Sequence, residues 1–221
     1  MLFPASKPIC RYYERAGRIG SDRKDTAMLM RYDWPMNKSL LCALGMGFAA
    51  MTHGAEPIID NEHATVWDTT VPLPPSSHDF VAISLSTKGT ATFGHQGDVP
   101  GKIGSRTIVI ELKDLPVPPL ANESGYPLAF PRKHVKKLLE NTQAVVWDYV
   151  WRPGEPTPMH FHDKDAVVVF EATGALKATT PDGNSAIAEI KFGGVRFNPR
   201  GRTHTEVLAS GQARAVITEL K

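Results

Sequence analysis

An all-β fold, a sandwich or barrel of short strands, is what this sequence predicts, and three observations predict it. From Asn61 onward, short apolar runs alternate with polar residues and are broken by Pro and Gly, the period-2 texture of half-buried strands. Pro181-Asp182-Gly183-Asn184 is a turn with a mechanism, Pro presetting φ and Gly admitting positive φ, so it joins two strands as a hairpin. His160 and His162, separated only by Phe161, alternate on what reads as a strand, and alternation puts both imidazoles on one face of a sheet. With 42% hydrophobic and 22% charged residues among 221, the chain can bury one sizeable core.

The N-terminal 55 residues stand apart. Met36-Asn37-Lys38 opens an apolar, small-residue run over 39–51 that ends in Thr52-His53-Gly54-Ala55, a charged start, a short hydrophobic stretch and a small residue before a cut. Residues 36–55 are therefore expected to be a secretory signal peptide, the alternative being a core helix. The run is too short to span a bilayer, so no membrane span is expected in the mature chain, whose place is then periplasmic or secreted. Residues 1–35 sit upstream of this signal and are expected to be an extension created by a start assigned too early, with Met36 the true first residue; the alternatives are a long basic n-region and a disordered tail. Residues 1–55 hold 8 of the 25 basic and 4 of the 23 acidic residues, leaving 17 against 19 in the remainder. The formal charge of +2 is thus no sign of nucleic-acid binding. Cys10 and Cys42 also fall in this part, so the mature chain has no thiol for a disulfide, a ligand or a nucleophile.

In the body, strands are expected over 64–71, 80–85, 107–112, 144–151, 166–170, 174–179, 187–190 and 213–220. Residues 115–140 read as a Pro-rich connection, from Leu115-Pro116-Val117-Pro118-Pro119 to Pro131, followed by a short helix over 131–140. That helix has Pro131 in its first turn and Val135, Leu138 and Leu139 on one face. Its Arg132, Lys133, Lys136 and Lys137 read as a solvated surface. An internal echo runs through the chain: residues 62–68 resemble 142–148, and 106–113 resemble 214–221, in the same order. Trp67 to Lys113 spans 46 positions and Trp147 to Lys221 spans 74, so a duplicated unit would have a first copy shorter by 28.

Two motifs carry the chemistry. Gly154 is followed after five residues by His160, then His162, with Gly174 closing the pattern; Gly193, Pro199, Gly201 and His204 follow at spacings of five, one and two intervening residues. Position by position these resemble the two signatures of the cupin family. The resemblance implies a cupin-type double-stranded β-helix, a jelly-roll barrel with a short linking helix. It places the metal-binding domain over 141–221 and makes 56–114 a degenerate cupin-like half without His-x-His. Two positions depart from the family: its metal-binding Glu falls at Val167, and its Asn four residues after the last His is Leu208.

His160, His162 and His204 then form a facial three-nitrogen set for a divalent transition metal, Fe foremost, with Mn, Ni, Cu and Zn as alternatives. Asp165 is a candidate fourth ligand, or a carboxylate that orients an imidazole, or an exposed loop acid. Trp151, Met159, Phe161, Val167 and Phe197 are expected to wall the substrate pocket, and Arg196, Arg200 or Arg202 to hold a substrate carboxylate. His63, His78, His95 and His134 read as core or surface residues. No residue is assigned a proton-transfer or nucleophilic role. A three-His site leaves coordination positions open, which within the cupins resembles dioxygenases lacking a carboxylate ligand. The expected function is a secreted metal-binding cupin acting on a small molecule as a mononuclear non-haem oxygenase. The alternatives are a non-catalytic periplasmic binding cupin and a metal-assisted isomerase or decarboxylase. A homodimer through edge strands is a further expectation.

Overall fold

The computed structural model describes residues 56–221. The expected upstream extension, the signal peptide and both cysteines lie outside these residues. Everything regular within them is strand and every strand pair is antiparallel. The first half supplies β1 (Ile59–Asp60), β2 (Ala64–Thr69), β3 (Phe80–Ser84), β4 (Ala91–Gly94) and β5 (Thr107–Leu112), which pair in the order β1-β2-β5-β3-β4. The second half begins with β6 (Val135–Glu140), β7 (Ala144–Trp151), β8 (His160–Phe161), β9 (Ala166–Phe170) and β10 (Gly174–Thr179). It continues with β11 (Ser185–Ile190), β12 (Val195–Asn198), β13 (Thr203–Gly211) and β14 (Ala213–Leu220). These make a five-stranded sheet, β12-β9-β14-β7-β6, and a four-stranded one, β11-β10-β13-β8.

The two five-stranded sheets are copies of one plan. Strand order is the same, with β1, β2, β3, β4 and β5 answering β6, β7, β9, β12 and β14. The polar contacts repeat as well. Asn61 Oδ1 accepts from the backbone of His63 and Ala64, as Asn141 Oδ1 does from Gln143 and Ala144. Trp67 Nε1 donates to Glu111 and Trp147 Nε1 to Glu219. Arg106 grips Asp68 at 2.7 Å and Arg214 grips Asp148 at 2.7 Å. What the first copy lacks is the four-stranded sheet, and most of the missing length is the β10–β11 hairpin.

Parity along the strands decides what each face covers. Val66, Val81, Ile83, Ile108 and Ile110 of the first sheet meet Val146, Val167, Val169 and Val216 of the second in one apolar core. The opposite face of the second sheet, with Trp147, Tyr149, Val168, Phe170 and Ile217, closes on Leu176 and Ile190 of the four-stranded sheet. The result is three layers, and β9 in the middle one is buried at all five positions. A fully buried Val or Ile stabilises the fold by about 1.5–3 kcal/mol, so these two cores carry most of it. A polar latch adds to them: Gly89 donates its backbone N–H to the carboxylate of Glu171, at 2.8 Å, across the two halves.

The short linking helix is corrected. No helix occurs among the described residues, and residues 135–140 are the edge strand β6, paired with β7 from Val135↔Tyr149 to Glu140↔Val145. A bulge between Lys137 and Leu139 lets Leu138 and Leu139 both reach the core, which reproduces the spacing of a helical face on an extended chain. The unpaired backbone of β7 is a stronger template than local propensity, and Lys136 and Lys137 suit an outer edge.

Candidate metal centre

The first motif enters along β8 and the second along β13, and the pairing His204↔His160 brings them side by side. His162, just past β8, remains tied to the same neighbour: its N–H donates to Arg202 O, and its carbonyl accepts from Gly201 N–H. Gly201, at φ +85, supplies the backbone conformation that lets the chain turn into β13. All three histidines are buried, and His160 is 1% exposed.

Their Nε2 atoms converge. His160 Nε2 lies 3.2 Å from His162 Nε2, which lies 3.4 Å from His204 Nε2. His160 Nδ1 is 2.8 Å from Pro158 O, an acceptor only, so Nδ1 carries the proton and Nε2 turns a lone pair inward. Burial, Arg132 and His204 hold the His160 pKa down at about 4, against the pull of Pro158 and Glu206; burial and the two neighbouring imidazoles hold His162 down at about 2. Three buried imidazoles with crowded, convergent Nε2 atoms fit a divalent transition metal, and among the described residues these three form the one group of ligating side chains arranged for it.

A carboxylate stands beside the centre, and it is not Asp165. Asp165 Oδ1 accepts from the backbone of Arg200 at 2.7 Å, and the other oxygen faces His63 at 3.7 Å, so this acid ties the loop before β9 to the first half. Glu206 is the near one: Oε1 is 3.6 Å from His204 Nε2, and Oε2 accepts from Trp151 Nε1 at 3.0 Å. Burial works to raise its pKa, but His204 and the charge of Arg132 prevail and hold the carboxyl well below the usual range. The sequence carried a signal for it, since an acid two residues past His204 on one strand shares its face.

A small chamber of about 50 Å³ opens beside His162. Of the five expected wall residues, Trp151 alone lines it. Met159 and Phe161 alternate with the histidines, so their side chains leave the strand on the other side. Val167 and Phe197 are corrected too: Val167 is in the core between the five-stranded sheets and Phe197 packs on it, while Ala166 and Val168 face the chamber. Phe130, Phe170, Leu176 and Ile217 complete the apolar wall. Arg196 and Arg202 line the chamber, whereas Arg200 turns away to donate to Pro118 O. Arg132, expected on a solvated surface, is 9% exposed; its guanidinium lies over Tyr149 at 4.1 Å and Phe130 at 4.7 Å, and Nη1 reaches 3.0 Å from His160 Nε2.

No family model matches the chain. The β-alanine degradation protein BauB of Pseudomonas aeruginosa is 32% identical over 99 residues, 44% of this chain and 99% of that protein. A relative matched from end to end joins two motifs whose histidines meet inside an antiparallel roll. The chain belongs to the cupin superfamily. Solved cupins resemble it in part. A cupin domain from Bordetella pertussis Tohama I is 29% identical and covers 43% of this chain and 96% of its own, at a TM-score of 0.37. A cupin 2 conserved barrel domain protein from Leptotrichia buccalis is 14% identical and covers 76% and 88%, at a TM-score of 0.41. Within this cupin the barrel is the second half, and the first half is its one-sheet copy.

Proposed function

We propose that the chain is an exported cupin that holds one divalent transition metal on His160, His162 and His204, with iron preferred over Mn, Ni, Cu or Zn. We further propose that it acts on a small molecule as a mononuclear non-haem oxygenase. The observation that carries this reading is the convergence of three buried Nε2 atoms, one with its lone pair fixed inward by Pro158. Bound there, a metal would supply Lewis-acid and one-electron redox chemistry. The chain's own residues do the rest: Trp151, Phe130 and Phe170 line an apolar wall that excludes water, and Glu206 stands as a carboxylate that orients His204 and faces Arg132. The name of the Pseudomonas relative supports small-molecule degradation as the setting.

The chain, purified without chelator or affinity metal, is expected to carry close to one iron per molecule by mass spectrometry, and His160→Ala and His204→Ala are expected to lose it. Metal absent, or unchanged in both variants, would sink the proposal. The small volume of the chamber favours a second reading, a binding cupin without turnover. Oxygen uptake on screening small-molecule substrates separates the two, since a binding module retains ligand and consumes none.

A further inference from the structure

The chamber beside the histidines holds more positive charge than its own groups offset. Arg132, Arg196 and Arg202 line it against one carboxylate, Glu206. Arg132 is the most telling. Its side chain is nine-tenths buried, it stands 3.7 Å from Glu206 Oε2, beyond hydrogen-bond length, and its buried Nε has no partner. The contact that it does make, to His160 Nε2, uses the lone pair that a metal would take. A guanidinium keeps its charge in a protein and offers five donors, so metal binding would leave a buried cation facing another cation with its donors free. Glu206, 3.7 Å from the guanidinium, would then be the one lining carboxylate against both cations, and an anion between them would take up the free donors.

We propose that the chamber is an anion site whose ligand is a small organic carboxylate, held by the Arg132 fork beside the three-His centre. The placement next to a metal rests on the function proposed above; the receptor itself rests on the arginines. Two parallel N–H donors fit a carboxylate in bidentate fashion, and the small chamber with its apolar wall favours a carboxylate on a short stem over the bulkier, more heavily charged phosphate. A chamber of about 50 Å³ admits roughly three or four water-sized groups, which is a carboxylate on a stem of one or two carbons. The apolar wall of Trp151, Phe130 and Leu176 takes the stem.

The test is calorimetric titration of the full chain, both Co2+-loaded and metal-free, in carboxylate-free buffer. The probes are acetate and propionate, the neutral isosteres acetamide and propionamide, and inorganic phosphate. Acetate or propionate is expected to bind at least tenfold tighter than its amide and to shift the Co2+ absorption spectrum at the same concentration. Arg132→Met is expected to weaken carboxylate binding at least tenfold, with Arg132→Lys between the two; should Arg132→Met fail to fold, Arg132→Lys carries the comparison. Amides binding as tightly, phosphate preferred, no binding to either form, or affinity unchanged in the Arg132 variants would overturn the anion site. A chain that takes no Co2+ but binds propionate through Arg132 defeats the metal reading and leaves the anion site standing. Stoichiometric Co2+ with no carboxylate binding does the reverse.

Discussion

His160 is prepared as a ligand by its neighbours. Pro158 fixes its tautomer and burial removes its proton, which gives the metal-free chain a pH dependence of definite sign. Unfolded, His160 and His162 titrate near about 6.5; folded, they are held down at about 4 and about 2. Below pH ~6.5 the unfolded chain therefore binds more protons, so the stability from these neutral imidazoles is complete above that pH and is lost as pH falls toward 4. The urea midpoint of metal-free chain is expected to drop between pH 7 and 5, and excess Zn2+ to move the drop to lower pH, because metal and proton compete. A midpoint that stays level or rises on acidification contradicts this. Glu206→Gln removes the charge facing Arg132, and by urea unfolding it is expected to cost about 1–3 kcal/mol; an unchanged midpoint would show that the pair contributes nothing. The three histidines were legible from spacing alone. Glu206 was legible by parity once His204 stood on a strand. Arg132 had no local signal, because the packing of Phe130 and Tyr149 brings it to the site.

Strands show where reading by pattern stops. β5, β7, β9, β10 and β14 match their expected bounds, because alternation or an unbroken Val run marks them without rivals. β13, which carries His204, has bounds that no pattern marks: Thr203-His204-Thr205-Glu206 has no apolar alternation, and its hydrogen-bond partners lie in distant segments. β6 carries the spacing of a helical face because its bulge brings Leu138 and Leu139 to the same side. Val167 faces away from the chamber on a strand covered on both faces, and an all-apolar strand does not reveal which parity faces the cavity; Phe197 of β12 is paired directly with Val167 and so shares its face. Ile110 sits fully buried on the first-half sheet, in the core shared with Val146 and Val216. Ile110→Ala is expected to cost about 2–5 kcal/mol in chemical denaturation. Metal content should stay as in the parent chain; a parallel loss of metal would mean that this sheet also shapes the site.

At the scale of the molecule, the two halves share a core that neither can close alone. Residues 141–221 expressed by themselves would expose the Val146, Val167, Val169 and Val216 face. They are expected to elute from gel filtration as oligomers or to precipitate, while co-expression with residues 56–140 restores a soluble one-to-one complex. A well-behaved monomer of 141–221 would contradict the layer order described here. The echo between 62–68 and 142–148 was legible as repetition. That the copies pack against one another follows from that repetition, but which faces meet does not, since sequence likeness carries no geometry. Each copy meets the other with its equivalent face, as subunits do about a two-fold axis. The chain thus carries its partner in series, an internal pseudo-dimer encoded once and unable to dissociate by dilution. The first copy gives its sheet to the shared core and, among the described residues, carries no counterpart of the three-His centre. A true homodimer, if one forms, has to use some other surface.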